Sequence, residues 1–330
     1  MIDGARTPFL KAKTGLGPFT GSDLAVNAGR ALLMRQPFEP DAFDEVIVGA
    51  AMPSADEANI ARVVSLRLGC GDKVPAWTVM RNCASGLQAL DSAAVNIIAG
   101  RSSLVLAGGT DAMSHAPLLY GPAMVNWLAA WYAAKNMGQK AALATRFRLS
   151  YLAPVIAILR GLTDPIVKIS MGSTAEIVAK RFGITRQMMD EFAVESHRRT
   201  AFAQDNGHLT EVEPMYGPDG TVYAQDDGVR RDSSVEKLAK LKPVFDRTYG
   251  NVTAGNSSQV TDGVAMLILA SEDVVNEYAL KPLGRVVDTN WGALDPSEMG
   301  LGPVHAITPL LMRNGLTLAD MDAIEVNEAF

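Results

Sequence analysis

The chain has 330 residues, 30 Lys+Arg against 36 Asp+Glu for a net charge of −6, 48% apolar residues and two cysteines. Such a composition suits a globular protein with room for two domains. It excludes a disulfide framework and a membrane span, which needs a run of about 20 apolar residues, and it argues against nucleic acid as a partner. No apolar leader segment follows Met1, and a reducing compartment, the cytoplasm, is the expected location.

Taken in order, Met1-Ile2 runs at once into Asp3-Gly-Ala-Arg-Thr-Pro-Phe9, where Arg6, Thr7 and Pro8 read as a turn leaving a first strand that is mostly missing. Ser22-Asp23 is expected to cap a helix that turns Leu24, Ala28, Ala31 and Leu32 inward. Asp44 to Gly49 is a short apolar run, hence a buried strand, and a second helix covers Asn59 to Leu68. Cys70, in Gly-Cys-Gly with no base or cation pattern nearby, reads as structural. Pro75 to Met80 is another short strand, and Ala84, Leu87, Leu90, Ala94 and Ile97 then recur at helical spacing up to Gly100. Leu104 to Ala107 is a further buried strand, and Gly108-Gly109 is expected to turn sharply after it. Strands alternating with helices argue for an α/β layered fold.

Cys83 falls between a strand and the first turn of a helix, followed by the small Ser85 and Gly86. Free N–H groups and the positive end of a helix dipole favour a thiolate at such a place and stabilise an oxyanion on an attached substrate. A buried structural role is the commoner fate of a free cysteine, so both readings stand on this evidence alone.

From Ala112 to Thr163 there is no Asp or Glu, while Lys135, Lys140, Arg146, Arg148 and Arg160 alternate with Leu118, Leu119, Trp127, Trp131, Tyr132, Phe147 and Tyr151. One reading is a basic amphipathic excursion for an anionic membrane or a partner; the other is a helical subdomain whose apolar face is core. Met171 then starts a helix, with Ser173 and Glu176 expected as a capping box. A long helix over Thr185 to Gln204 presents Met188, Met189, Phe192 and Ala193 as its apolar face, and His197 as a solvated surface residue. His208 reads as loop and His115 as structural. Asp226 to Pro243 is a loop, a capped helix and a proline stop, and Asn251 to Gly263 is a tight polar loop ahead of a strand at Ala265 to Ala270. Asp322 to Asn327 repeats the pattern of Asp44 to Gly49 and is expected to form a matching strand.

Several of these stretches share one resemblance. Asn82-Cys-Ala-Ser-Gly-Leu-Gln-Ala89, Ala107-Gly-Gly-Thr-Asp-Ala-Met-Ser114, Met171-Gly-Ser-Thr-Ala-Glu176, Asp226 to Pro243, Asn251 to Gly263 and Asn327-Glu-Ala-Phe330 are similar to the thiolase family, which makes or breaks carbon–carbon bonds between acyl groups on coenzyme A. The basic apolar insertion resembles the β type found in fatty-acid oxidation trifunctional complexes, some of which associate with membranes. The resemblance covers essentially the whole chain. It implies two similar αβαβα halves with an inserted loop domain: residues 1–114 plus 244–270 as the first half, 115–243 as the loop domain, and 271–330 as an incomplete second half.

By the same resemblance, Cys83 is the nucleophile that carries the acyl group, and Asn327 holds a water in the oxyanion site. Arg230 lies near the CoA nucleotide, Ser258 at the pantetheine arm, and Met171 on the wall of the substrate pocket. Asn59 and Arg62 lie near a dimer contact. The implied reaction is thiolysis of 3-oxoacyl-CoA to acetyl-CoA and a shortened acyl-CoA, with CoA as substrate and neither a permanently bound cofactor nor a metal. Implied partners are a second copy or higher oligomer, a hydratase/dehydrogenase α subunit, and a peripheral membrane contact through 112–163. The family's Gly-His-Pro histidine and Cys-x-Gly-Gly cysteine have no counterpart in these residues, and neither His115 nor His305 replaces them. The chain is therefore expected to be truncated at both ends. A biosynthetic acetoacetyl-CoA thiolase and a non-catalytic acyl-CoA or lipid-binding relative are the alternatives.

Overall fold

The computed structural model describes residues 1–12 and 15–330. The first part of the chain forms strands β1 (Asp3–Arg6), β2 (Leu10–Lys11), β3 (Glu45–Gly49), β4 (Ala76–Val79) and β5 (Leu104–Ala112), with helices α1 (Gly21–Leu33), α2 (Ile60–Arg67) and α3 (Ser85–Ile98) between them. The middle carries β6 (Leu118–Tyr120), α4 (Pro122–Ala133), α5 (Met137–Ala144), β7 (Pro154–Ile156), α6 (Ala157–Gly161), α7 (Met171–Phe182) and α8 (Arg186–Asp205). Then come β8 (Met215–Tyr216), β9 (Val222–Tyr223), α9 (Val235–Leu238), β10 (Thr261–Ala270), α10 (Glu272–Glu277) and α11 (Gly302–Arg313).

One sheet organises the molecule, in the order β1-β10-β5-β3-β4, with β2 also paired to β10. The pairs of β3 with β4 and β5 are parallel; β10 runs antiparallel to β5 and β1. Every residue of β3 is buried, because helices cover both faces of the sheet. Successive side chains point to opposite faces. Val46, Val48, Leu106, Met266 and Ile268 therefore join Leu24, Ala28, Leu32, Ile60 and Val64 of α1 and α2 in one core, while Ile47, Val105, Ala107 and Leu269 meet Ala89 and Ala93 of α3 in the other. α1 starts one residue before the Ser-Asp pair: Thr20 is the cap, with Asp23 closing the capping box.

Several expectations are corrected here. Asp3 to Arg6 do not follow the first strand; they are that strand, held against Ala265 to Ile268. Gly108 and Gly109 do not turn but run on inside β5 to Ala112. A Cβ at Gly108 would lie 2.2 Å from the Ala265 carbonyl oxygen, so the glycine is required by close approach to β10 rather than by a turn. Ser170 caps α7, accepting from the Ser173 N–H, and Glu176 is engaged elsewhere. On α8, Met188 and Phe192 are half exposed or more, and the residue that goes inside is Asp190. Asp322 to Asn327 form no strand: Ile324 and Val326 stay exposed, and a strand needs a neighbour to complete its ladder, which no described segment supplies.

Candidate functional site

Cys83 sits on the turn between β4 and α3. Asn82 takes a left-handed backbone (φ 47°), a conformation that Asn tolerates better than most residues. Ser85 locks the turn: its Oγ accepts from the Arg81 N–H at 2.8 Å and donates to the Asn82 carbonyl at 2.6 Å. Arg81 is held in its turn by Gln88 at 2.7 Å and by the ring of Trp291, 4.1 Å from the guanidinium. The Cys83 thiol faces solvent, whereas Cys70 is buried.

Two glycines let α3 start directly on the sheet. A Cβ on Gly49 would lie 2.2 Å from the Ser85 carbonyl oxygen, and one on Gly109 would lie 2.9 Å from the Gly86 Cα. Real side chains cannot occupy those spaces, so the first turn of α3 rests backbone-on-backbone against the ends of β3 and β5. Asp111, at the end of β5, accepts from the N–H groups of Ala51 and Met52, both at 3.0 Å. Burial nevertheless pushes its carboxyl above the usual range, against the pull of those two donors. The loop after β3 is fixed by this carboxylate, and the Met52 methyl packs at Gly161 of α6.

A second frame holds the other sequence-predicted residues. Glu176 accepts from the N–H groups of Asn251 and Val252 at 2.9 and 2.8 Å. Asp190 accepts from Arg186 at 2.8 Å and from Asn256 Nδ2 at 2.9 Å, and Asn256 Oδ1 accepts from the Thr253 N–H at 2.7 Å. Asp190 is 1% exposed; removing one partner of such a buried network costs about 3–5 kcal/mol. This network shapes the loop that presents Ser258. The Ser258 N–H donates to the Ala329 carbonyl at 2.9 Å, which ties the loop to Asn327 and its neighbours. Phe330 packs edge-on against Phe245, 5.8 Å between centroids, and Phe245 lies on Gly172 beside Met171. Met171 is half buried and donates its N–H to the Leu162 carbonyl.

Arg230 and His197 complete this frame. The Arg230 N–H donates to His197 Nδ1 at 3.3 Å, and Ser196, one residue earlier, donates to Glu328 at 2.5 Å. His197 is not a solvated surface residue: it is half buried, and that burial, followed by the positive charge of Arg230, lowers its affinity for a proton below the usual histidine value. Met171, Arg230, Ser258 and Asn327 are thus linked through Phe245, Phe330 and α8. Cys83 belongs to the sheet-end frame, and among the described residues no hydrogen bond, ion pair or ring contact joins it to those four. A cavity of about 510 Å³ lies on the far end of α3, against Ile97, Ile98, Leu269 and Val286, away from the Cys83 turn. Sequence reading missed Asp111, Glu176, Asp190 and Asn256 as positioning groups. For Asp190, the signal was an acid four residues after Arg186 on the same helix face.

Residues 1–273 match the family model described as thiolase, N-terminal domain, and residues 280–330 match that of thiolase, C-terminal domain. The chain is 36% identical over 332 residues to the mitochondrial trifunctional enzyme subunit beta of Mus musculus, covering 100% of this chain and 69% of that protein. It is 37% identical over 335 residues to the mitochondrial 3-ketoacyl-CoA thiolase of Rattus norvegicus, covering 100% of this chain and 79% of that one. Among solved structures, human mitochondrial 3-ketoacyl-CoA thiolase superposes with a TM-score of 0.86 at 36% identity, over 100% of this chain and 80% of that chain. The same human enzyme in complex with CoA gives 0.85 at 36% identity, over 99% and 78%.

The contrast between the two cysteines is directly measurable. Burial raises the Cys70 thiol above its usual range, while Cys83 is exposed. Under native conditions an alkylating reagent is expected to modify Cys83 and to reach Cys70 only on unfolding; peptide mapping by mass spectrometry checks this, and equal modification of both would contradict the geometry.

Proposed function

The chain belongs to the thiolase family, and from that premise we propose that it transfers acyl groups to and from coenzyme A through Cys83, cleaving 3-oxoacyl-CoA in fatty-acid oxidation. The observation that carries this reading is the exposed Cys83 thiol on a locked turn at the start of α3. The Cys83 sulfur attacks the 3-keto carbon. The bond between C2 and C3 then breaks, its electron pair leaves with acetyl-CoA as an enolate that takes up a proton, and the remaining acyl group stays on sulfur as a thioester. The thiol of a second CoA gives up its proton to solvent as it attacks that thioester, and collapse of the adduct releases the shortened acyl-CoA and returns the Cys83 thiolate. Covalent capture divides one difficult step into two.

The positive end of the α3 dipole favours negative charge developing on a substrate held by Cys83, and Asn327 holds a water in the oxyanion site of the first half-reaction. Met171 lines the acyl pocket, Ser258 contacts the pantetheine arm, and Arg230 holds CoA phosphate oxygens, which a guanidinium can grip in two directions at once. The link from Ser258 to Ala329 supports a shared role for the 258 loop and the Asn327 segment. The position of β10 between β1 and β5 supports grouping residues 1–114 with 244–270 as one half, 115–243 as the loop domain and 271–330 as part of the second half. A cytoplasmic, oligomeric enzyme that pairs with a hydratase/dehydrogenase α subunit is the corresponding assembly, although the mammalian relatives are mitochondrial by name.

A peripheral membrane contact through 112–163 belongs to the same reading. α4 is apolar on nearly every side, yet only Met124 of it is buried and its Tyr132 is exposed, and Leu118, Leu119, Leu149 and Leu152 stand exposed around it. No described helix is long and apolar enough to cross a membrane. The basic residues of the insertion, unopposed by any acid, select an anionic surface.

Two outcomes are expected. Cys83→Ala lowers CoA-dependent thiolysis of a 3-oxoacyl-CoA by more than about 10³-fold, and an unchanged rate would remove Cys83 from the reaction. Each cation near an anionic surface contributes about 1 kcal/mol, so replacing Lys135, Lys140 and Arg146 together by Gln weakens co-sedimentation with phosphatidylserine vesicles by roughly a hundredfold; binding that ignores these changes would end the membrane assignment.

A further inference from the structure

The His197–Arg230 contact has a consequence for how the site holds its ligand. Arg230 lies on an irregular loop that is anchored on one side by Asp226, whose carboxylate takes Arg6 at 2.8 Å and the Phe9 N–H at 2.7 Å. On the other side, Arg231 pairs with Asp205 at 2.6 Å. Between these anchors, among the described residues, Gln259 Nε2 donates to the Gly228 carbonyl at 2.7 Å, the Arg230 carbonyl accepts from the Ser233 N–H at 3.1 Å, and the Arg230 N–H donates to the His197 ring at 3.3 Å. The N–H points at Nδ1, so Nδ1 must be the unprotonated nitrogen and the proton of the neutral ring must sit on Nε2. The charged groups that face the ring are Arg230 from the loop and Glu328 from the Asn327 segment, with Ser196 fastening Glu328 to the same helix.

We propose that neutral His197 is a positioning residue for Arg230, so that protonation of its ring releases the Arg230 loop and weakens the grip on CoA phosphates. The inference rests on the assignment of Arg230 to CoA under the proposed function. A proton on Nδ1 would turn the acceptor into a donor facing the Arg230 N–H, and the new positive charge would stand beside the guanidinium. Both changes push the loop away from α8. Burial and the Arg230 charge both oppose protonation; Glu328 favours it. Since burial and the Arg230 charge hold the ring's folded-state proton affinity below its unfolded value, the contact is intact at about pH 6.5 and above and is lost only as pH falls through the lower folded value. The loss of one neutral hydrogen bond corresponds to about a fivefold change in an equilibrium.

The test is CoA affinity of the whole chain by calorimetry in a series from about pH 7.5 down to about pH 4.5, so that the lowered His197 titration falls inside the range, for the wild type, His197→Asn and Arg230→Gln. The Asn oxygen stands where Nδ1 stands but does not titrate in this range. Because the 3′-phosphate of CoA itself gains a proton near pH 6, the readout is the difference between wild type and His197→Asn, in which the ligand's own titration cancels. Wild type is expected to lose about fivefold more affinity than His197→Asn on acidification. Arg230→Gln is expected to bind more weakly throughout the series and to lose most of the extra pH dependence. Equal pH dependence in wild type and His197→Asn would overturn the positioning role. If Arg230→Gln bound CoA as well as wild type, Arg230 would not be the CoA contact, and the reading beneath this inference would fail instead.

Discussion

The structure depends on one steric constraint: the first turn of α3 lies on the ends of β3 and β5 with no side chain between them. Gly49 and Gly109 are the residues that permit this. Added methyl groups there would meet backbone rather than flexible side-chain tips, and a packed backbone has no rotamer by which to yield. The consequence reaches the chemistry, because the turn carrying Cys83 is continuous with the seated helix. Asn82 accepts a left-handed conformation, and Ser85 closes the turn with two hydrogen bonds. The thiol is presented at the open end of the sheet by rigid elements on both sides, the arrangement that a nucleophile needs if its geometry is to survive thermal motion.

A buried polar network performs the same service for the loop segments. Asp190, Asn256 and Glu176 receive the N–H groups of residues 251–253 and the Asn256 amide. These groups would otherwise be costly to bury. The network shapes an irregular loop without regular secondary structure, and through Ser258 and Ala329 the order extends to Asn327. Two different devices, glycine-permitted backbone contact and buried side-chain hydrogen bonding, thus hold the two groups of proposed functional residues.

Much of this was legible in the sequence. The apolar run at 44–49, the strand and helix flanking Cys83 and the polar loop ahead of the Ala265 strand are local patterns, and local patterns survive folding. What escaped was set by partners distant in the chain. Gly108-Gly109 carries the composition of a turn, and only the neighbouring β10 and α3 make it a stretch of strand. Glu176 has the spacing of a capping residue, but Asn251 and Val252 offer it better donors. Met188 and Phe192 have an inward look on α8, while the buried position belongs to Asp190, whose charge Arg186 balances and to which the Asn256 amide donates a hydrogen bond. His197 lies in a charged stretch, and its half-buried state arises from the loop and the C-terminal segment packed over it. Asp322 to Asn327 have strand composition, and composition alone cannot form a ladder.

The claim that the seated helix start creates the reactive site is tested most directly by the rate at which an acyl-CoA acylates Cys83 in Gly109→Ala beside the wild type, followed by intact-protein mass spectrometry, with circular dichroism to confirm that the sheet is retained. The added methyl meets Gly86 in the first turn of α3. The account predicts a folded protein that acylates at least about tenfold more slowly, the cost of roughly 1.4 kcal/mol of misplacement at the reacting atom. A folded variant that acylates Cys83 at the wild-type rate would contradict it.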